Sequence, residues 1–430
     1  MKTPVARFAL VAVALLFSMR AQAQTSQSLT LKEAEQIAIQ NHPQIQVAIS
    51  MAAAAAQQVR EVRSAYYPTV YGSVTGVDAE NNSRITAGGL NNPIILERFA
   101  DGLTVGQLVT DFGRTHELAK SSSLHAQAQQ ENVVATRADV LLRVDQAYFS
   151  VLRAQAVLRV AEETVKSRQL VSDQVTALAQ NQIKSGLDVS FANVDLAQAQ
   201  LLLVQAQNDL DASFAELSSA LGFSDQRTFQ LSDESASAPP PANVTDLIQQ
   251  AMNNRPELIG QGLDVQSAKS YATAQRDLWF PTISAAGAAG LTPYGADALA
   301  PRYAAAGFNV NVPLFNGHLY GALRGEANAR ERAQEQYLRD LQNRVVRDVR
   351  TAWLNANSAF QRLALTDQLL KHATDALDLA QSRYRLGLSS IIELSQAQLN
   401  MTQAELESAS SKYDYQTQLS VLSYQIGSLH

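Results

Sequence analysis

The strongest constraint on this chain is an internal duplication. Residues 38–45 (AIQNHPQI) match residues 251–258 (AMNNRPEL) at an offset of 213 positions (251 minus 38), and residues 66–70 (YYPTV) match residues 279–283 (WFPTI) at the same offset. Three shorter matches follow in the same order at smaller offsets and pair residues 111–113 with 314–317, 147–149 with 352–354, and 185–187 with 386–388. Five ordered matches predict two copies of one structural unit, with loops of unequal length.

Composition predicts where one copy ends and the next begins. Residues 224–245 contain several serines and three consecutive prolines, which is typical of a linker or a mixed equatorial region. We therefore place the first structural repeat at residues 24–223 and the second at residues 246–430.

Each copy shows the same order of elements: short helices, a β-hairpin and a long helical hairpin. Pro68 and Pro281 end helical structure, and the apolar alternation from 302 to 315 is typical of a half-buried strand. Long segments without Pro or Gly follow, with apolar residues at spacings of three and four, which predicts coiled-coil packing. We place the β-hairpins at about 66–112 and 279–315, and the long helical hairpins at 115–220 and 318–427.

The composition also favours helices that pack closely on helices. Hydrophobic residues make up 46% of the chain but aromatic residues only 7%, so small aliphatic side chains carry the apolar surface. After residue 23, no apolar run is long enough to predict a transmembrane helix. If the strands cross a membrane instead, four strands cannot close a barrel. Two, three or four chains would supply 8, 12 or 16 strands (four per chain), and the spacing favours none of these.

The first 23 residues have the pattern of a secretory signal peptide. Lys2 and Arg7 precede a short apolar run, and Ala21 and Ala23 stand at the small-residue positions of a cleavage site. We expect cleavage and export from the cytoplasm, with an uncleaved anchor helix as the alternative. Because the chain contains no cysteine, we do not expect attachment through a lipidated cysteine.

Charge and motifs argue against other large classes of function. Residues 1–23 hold three basic residues and no acid, so their removal takes the formal charge from −6 to −9 (−6 minus 3). An acidic chain is not expected to bind nucleic acid. The six histidines are scattered, and no Walker loop, dinucleotide fingerprint or G-x-S-x-G motif occurs. We therefore expect no enzymatic activity, no cofactor and no metal site.

Together these features resemble the TolC-like outer-membrane efflux proteins. The resemblance covers essentially the whole chain after the signal peptide. It rests on the duplicated order of elements, an A-x-x-N-x-P motif at 38 and 251, Y/F-P-T before each strand pair, and Gly-Leu at each helical hairpin tip. It implies a mainly α fold with a membrane β-barrel, in which duplicated long helical hairpins form a periplasmic α-barrel. Four strands per chain would contribute to a trimeric 12-stranded outer-membrane barrel.

The resemblance also implies a function and a set of partners. The expected function is passive export, for efflux or type I secretion, through the outer membrane of a Gram-negative-type envelope. Expected partners are two further copies in a homotrimer, outer-membrane lipid, a periplasmic adaptor (membrane fusion protein) and an inner-membrane pump. Two other classes compete with this reading: a periplasmic coiled-coil adaptor or scaffold without a barrel, and a secreted helical enzyme or binding protein.

The resemblance assigns candidate residues to a periplasmic gate. Tyr384 precedes a tip glycine by three residues, Glu393 fits the first of two acidic pore positions, and Gln396 stands at the second. Asn193 falls near the aspartate expected in the first hairpin. Because Ser389 stands where an arginine is expected, we expect fewer charged bonds in the closed state. A single ring of glutamates would also give weaker cation selectivity.

The hairpin tips are the expected docking site for the adaptor. The alternative is that these residues only cap helices. The candidates are Lys184, Ser185, Gly186, Leu187, Arg385, Leu386, Gly387 and Leu388.

Overall fold

The computed structural model describes residues 28–80, 83–84, 94–233 and 238–429. The expected signal peptide lies outside the described residues, as do part of the first strand loop and part of the linker. In the first repeat the elements are α1 (Leu31–Asn41), α2 (Pro43–Arg63), β1 (Thr69–Val77), β2 (Arg98–Thr110), α3 (Arg114–Gln180) and α4 (Gly186–Ala220). In the second they are α5 (Val244–Asn254), α6 (Pro256–Arg276), β3 (Thr282–Gly295), β4 (Arg302–Asn311), α7 (Leu319–Arg385) and α8 (Ile391–Gln425).

Corresponding helices of the two repeats have equal lengths. α3 and α7 each contain 67 residues, and α4 and α8 each contain 35. At 1.5 Å per residue, each 67-residue helix is about 100 Å long. The helices before the strands are 213 positions apart (256 minus 43), whereas those after the strands are 205 apart (319 minus 114), so the strand region absorbs the difference. The expected mainly α fold, with duplicated long hairpins and four strands per chain, is confirmed.

Both repeats contain the same helix break. His42 separates α1 from α2 and Arg255 separates α5 from α6, and each is held extended by the proline that follows it. Gly222 and Gly427 follow α4 and α8 at positive φ, 84° and 70°. A Cβ on either glycine would come within 3.0 Å of the backbone of Asn41 or Asn254. Only glycine therefore allows this close approach.

The strands form one antiparallel sheet in the order β1-β2-β3-β4. Thr69 pairs with Gly106 and Thr282 with Asn311, and two irregularities interrupt the pairing of β2 with β3. Within the described ranges, β1 pairs only with β2 and β4 only with β3, so the sheet has two unpaired edges. All ten residues of β4 are exposed.

The chain divides into two compact units. The first contains 1–42, 140–240 and 354–421, and its largest fully buried side chains include Tyr148, Leu217 and Tyr415. The second contains 43–139, 241–353 and 422–430. The sheet belongs to this unit, and its buried residues include Ala274, Ala327 and Val349. No helix in the described part of the chain is long and apolar enough to cross a membrane.

The turn of the first long hairpin differs from the expected one. Pairing 185–187 with 386–388 places Gly186 opposite Gly387, which follows the end of α7, but α3 ends at Gln180 and Gly186 is the first residue of α4. Gln182 takes the left-handed conformation instead, with φ of 59° against 74° for Gly387, 205 positions later. Ile183 N then donates to the Leu178 carbonyl at 2.9 Å, a bond that satisfies a terminal helix carbonyl. The expected pairing of 185–187 with 386–388 is therefore wrong in register.

Candidate functional site

The expected gate residues lie in the first unit, where the ends of α3 and α7 turn into α4 and α8. An apolar cluster joins the two hairpins there, with Val175 from α3, Ala192 from α4, Tyr384 from α7, and Ile391 and Leu394 from α8. The spacing of these side chains places each on the buried stripe of its helix. This cluster fixes the positions from which the polar residues around it project.

Helix capping shapes the two turns. Ser185 caps α4, and its hydroxyl and the Asp188 carboxylate form a reciprocal capping box. In the second hairpin, Glu393 N donates to the Ser390 hydroxyl at 3.4 Å. Ser390 and Glu393 lie 205 positions after Ser185 and Asp188 (390 minus 185), so Asp188 is the repeat equivalent of Glu393.

Tyr384 is buried between the hairpins and links them. Its side chain is 6% exposed, and Lys184 Nζ of the first hairpin lies 3.8 Å from the centre of its ring. Burial, and to a lesser extent the charge of Asp188, raise the pKa of Tyr384. The Tyr384 hydroxyl has no hydrogen-bond partner in the described part of the chain. Its contribution here is therefore packing and a cation–π contact.

The other gate candidates bond within their own hairpins. Arg383 Nε lies 3.0 Å from Glu393 Oε1, and both side chains are about half exposed. Gln396 donates to Asn400 Oδ1 at 3.0 Å along α8. The Ser172 hydroxyl donates to Asn193 Oδ1 at 2.8 Å between α3 and α4. The structure thus brings Tyr384 against the first hairpin but leaves Glu393, Gln396 and Asn193 without side-chain hydrogen bonds across the hairpins among the described residues.

Polar contacts between the hairpins occur above the tips, at residues that sequence reasoning missed. The Ser395 hydroxyl of α8 donates to Asp195 Oδ2 of α4 at 2.6 Å. Arg168 Nη2 of α3 donates to the Thr402 hydroxyl of α8 at 3.3 Å. The sequence does contain a signal for these contacts, because polar residues recur at helical spacing within the stripe of α3 that is buried in the structure. The stripe consists of Ala161, Thr164, Arg168, Ser172 and Val175.

Arg168 is an unusually buried charge. Its side chain is 8% exposed, and burial lowers its pKa, while the carboxylates of Asp195 and Glu405 act in the opposite direction. For Glu405, burial raises the pKa, whereas the positive charge of Arg168 acts to lower it. A cavity of about 250 Å³ lies beside Arg168 and Asp195.

The tips themselves present apolar side chains to solvent. Leu386 is 73% exposed, and Ile183, Leu187, Leu388 and Ile392 are 59–66% exposed. Ser185, Gly186, Arg385 and Gly387 are also exposed, and Lys184 is half-buried. Arg385 donates to the carbonyl of Gln381 in its own helix. An exposed apolar surface of this kind is typical of a docking site.

Across the described ranges, no group of three or more His, Asp or Glu side chains is arranged to hold a metal ion.

Comparison with known proteins identifies the family. The sequence signature of the family described as "Outer membrane efflux protein" matches residues 35–223 and 247–428. The chain belongs to this family. The outer membrane protein TolC of Salmonella enteritidis is 23% identical over 423 residues, which cover 94% of this chain and 83% of TolC. The cation efflux system protein CusC of Escherichia coli K12 is 24% identical over 359 residues, covering 80% and 76%.

Solved structures of outer membrane efflux proteins share the fold. The CmeC outer membrane channel of Campylobacter jejuni has a TM-score of 0.82 to this chain at 16% identity, over 93% of this chain and 85% of CmeC. A CusC crystal structure has a TM-score of 0.80 at 19% identity, over 92% of both chains. The solved structures support the fold, and membership of the family makes the chain an outer-membrane efflux duct, so a periplasmic adaptor without a barrel is not favoured.

Proposed function

We propose that three copies of this chain form a passive exit duct, which receives substrates from an inner-membrane pump through a periplasmic adaptor. The observation that carries the proposal is the four-stranded sheet with two unpaired edges, in a chain of the outer membrane efflux family. Unpaired backbone groups are not tolerated in lipid, so neighbouring copies must pair these edges. Three copies supply 12 strands (three times four), the number that the family resemblance implies.

The surface of the sheet supports a location in lipid. Large apolar side chains are exposed on all four strands. Their exposure would be unfavourable if both faces of the sheet were in water. They include Val70, Val74, Leu103, Val105, Leu291, Phe308 and Val310.

The hairpin tips are the proposed docking surface for the adaptor. Ile183 and Leu187 on the first hairpin and Leu386 and Leu388 on the second are the apolar contacts available to it. Lys184, Ser185, Gly186, Arg385 and Gly387 lie on the same turns.

The same end of the duct carries the proposed gate. Tyr384 supports it by packing, whereas Glu393, Gln396 and Asn193 line it. Because Arg383 pairs with Glu393, part of the negative charge at the pore is neutralised, which supports weak cation selectivity. Asp188, the repeat equivalent of Glu393, joins this set.

Membrane fractionation followed by mass measurement tests the proposal. After an alkaline carbonate wash, the protein should remain in the outer-membrane fraction, and native mass spectrometry of the detergent extract should give three chains. The purified oligomer should conduct ions in a planar bilayer. Recovery from the soluble periplasm without detergent would overturn the proposal and favour the adaptor or scaffold alternative.

A further inference from the structure

Two polar contacts between the hairpins lie near the tip candidates but apart from them, and an ion pair of Arg153 with Asp414 at 3.2 Å joins α3 to α8 farther from the tips. Arg168 lies 12 residues before the end of α3 (180 minus 168), about 18 Å along the helix at 1.5 Å per residue. Arg168 and Asp195 belong to the first hairpin, and Ser395 and Thr402 belong to the second. We name these four residues the inter-hairpin lock.

The lock charges are present in one repeat only. The positions equivalent to Arg168 and Asp195 in the second repeat, 205 residues later, are Ala373 and Asn400, which carry no charge. Symmetric packing of the duplicated hairpins therefore does not require these charges. A charge kept in a helix seam without its repeat counterpart calls for a role outside that packing.

The physical basis of the lock is the cost of an unpaired buried charge. Arg168 is almost fully buried, and its hydrogen bond goes to a hydroxyl of the other hairpin. Within the described residues no carboxylate lies within 4.0 Å of its guanidinium, so Asp195 and Glu405 balance its charge from a longer distance. Separating α8 from α3 would break the bond to Thr402 and would also part Asp195 from Ser395. Such separation is unfavourable until water replaces both partners.

We propose that the inter-hairpin lock holds the second hairpin against the first and keeps the duct closed, since the ion pair of Arg383 with Glu393 at the tip stays within one hairpin. This inference rests on the proposed function of the chain as a gated duct. Opening then requires the two hairpins to separate at Arg168 and Asp195. The adaptor would supply the energy for this separation, and a substitution in the lock would lower the energy required.

Planar-bilayer recording tests the lock through R168Q and T402V. Each variant should raise the occupancy of the conducting state about tenfold, the shift expected for loss of one charge-assisted hydrogen bond. The double variant should add little to either single one, since both remove the same bond. K166Q is the matched control, because Lys166 is an exposed cation of the same helix whose ion pair among the described residues is with the exposed Glu163. Equal occupancy in R168Q and K166Q would contradict the lock.

A cross-linking measurement is independent of conduction. The chain contains no cysteine, so D195C/S395C introduces a single thiol pair across the hairpins. With a short bis-methanethiosulfonate reagent in detergent, the bridging yield should fall several-fold when R168Q is added and should not fall with K166Q. In bilayers, bridging should close the duct and a reductant should reopen it. Equal bridging in both backgrounds would overturn the lock, whereas a wild-type protein that forms no channel would contradict the proposed function instead.

Discussion

At the scale of single residues, the hydroxyls of the buried Tyr384 and the half-buried Tyr424 have opposite surroundings. The Tyr384 hydroxyl has no partner among the described residues, whereas Tyr424 donates to an oxygen of Asp139. Y424F should therefore lower the free energy of unfolding by about 1.5–3 kcal/mol, as loss of a bond to a charged group does. Y384F should change it little, because the ring stays beneath Lys184. Thermal unfolding followed by circular dichroism in detergent compares the two, and equal losses would contradict this reading.

His42 gives a residue-scale prediction about pH. Burial, and then the positive charge of Arg143, lower the pKa of His42. The folded chain thus favours the neutral ring, so this contribution to stability is present above the unfolded pKa of about 6.5 and is lost as pH falls through the folded pKa. H42N cannot be protonated and should flatten the dependence of Tm on pH below about 6.5. His116, an exposed residue of α3, provides the control, and H116N should leave the wild-type dependence in place.

Glu393 is the residue on which ion selectivity should depend. E393Q removes its negative charge and its ion pair with Arg383. The preference for cations over anions, measured as a reversal potential in a salt gradient, should fall towards zero. E407Q, which removes an exposed carboxylate further along α8, should leave the reversal potential unchanged. A reversal potential that is the same in E393Q and wild type would remove Glu393 from the pore.

At the scale of elements, equivalent aromatic residues of the two long helices anchor the linker. In the first unit, the Tyr148 hydroxyl donates to the carbonyls of Leu29 and Ser232. In the second unit, Trp353 Nε1, 205 positions later (353 minus 148), donates to the Pro241 carbonyl. Y148F and W353F should each increase the rate of proteolytic cleavage between 224 and 245. Limited proteolysis with mass mapping measures this, and Y337F, at an exposed position of α7, should cleave at the wild-type rate.

The elements also show what the sequence could and could not predict. Long stretches without Pro or Gly gave the four long helices, because backbone hydrogen bonding continues until a breaker interrupts it. The glycine of the Gly-Leu motif does not mark the turn of the first hairpin, because Gln182 occupies the left-handed conformation there. The offset of 205 residues makes Asp188 the repeat equivalent of Glu393, whereas the place of Asn193 near the aspartate expected in the first hairpin stays a prediction. Arg168 was missed because a polar residue in a seam looks like an exposed one until its neighbours are known.

At the scale of the whole molecule, assembly depends on the edges of the sheet. β1 and β4 each leave one row of backbone groups unpaired within the described part of the chain. In an antiparallel sheet of four strands the two edge strands run in opposite directions, so β4 of one copy can pair with β1 of the next in the same antiparallel pattern. Such pairing closes only if it continues around a ring of copies.

Cysteine cross-linking across the edges tests this closure. V70C on β1 should be combined in turn with A304C, A306C and F308C on β4, since the register between copies is set by the tilt of the strands. Oxidation of the detergent-solubilised protein should link chains in at least one combination and give bands of two and three chains on a non-reducing gel. L103C/A289C is the matched control, because these residues pair within one sheet and should bridge without a gain in mass. If all three combinations remain single chains while the control bridges, edge pairing between copies is wrong.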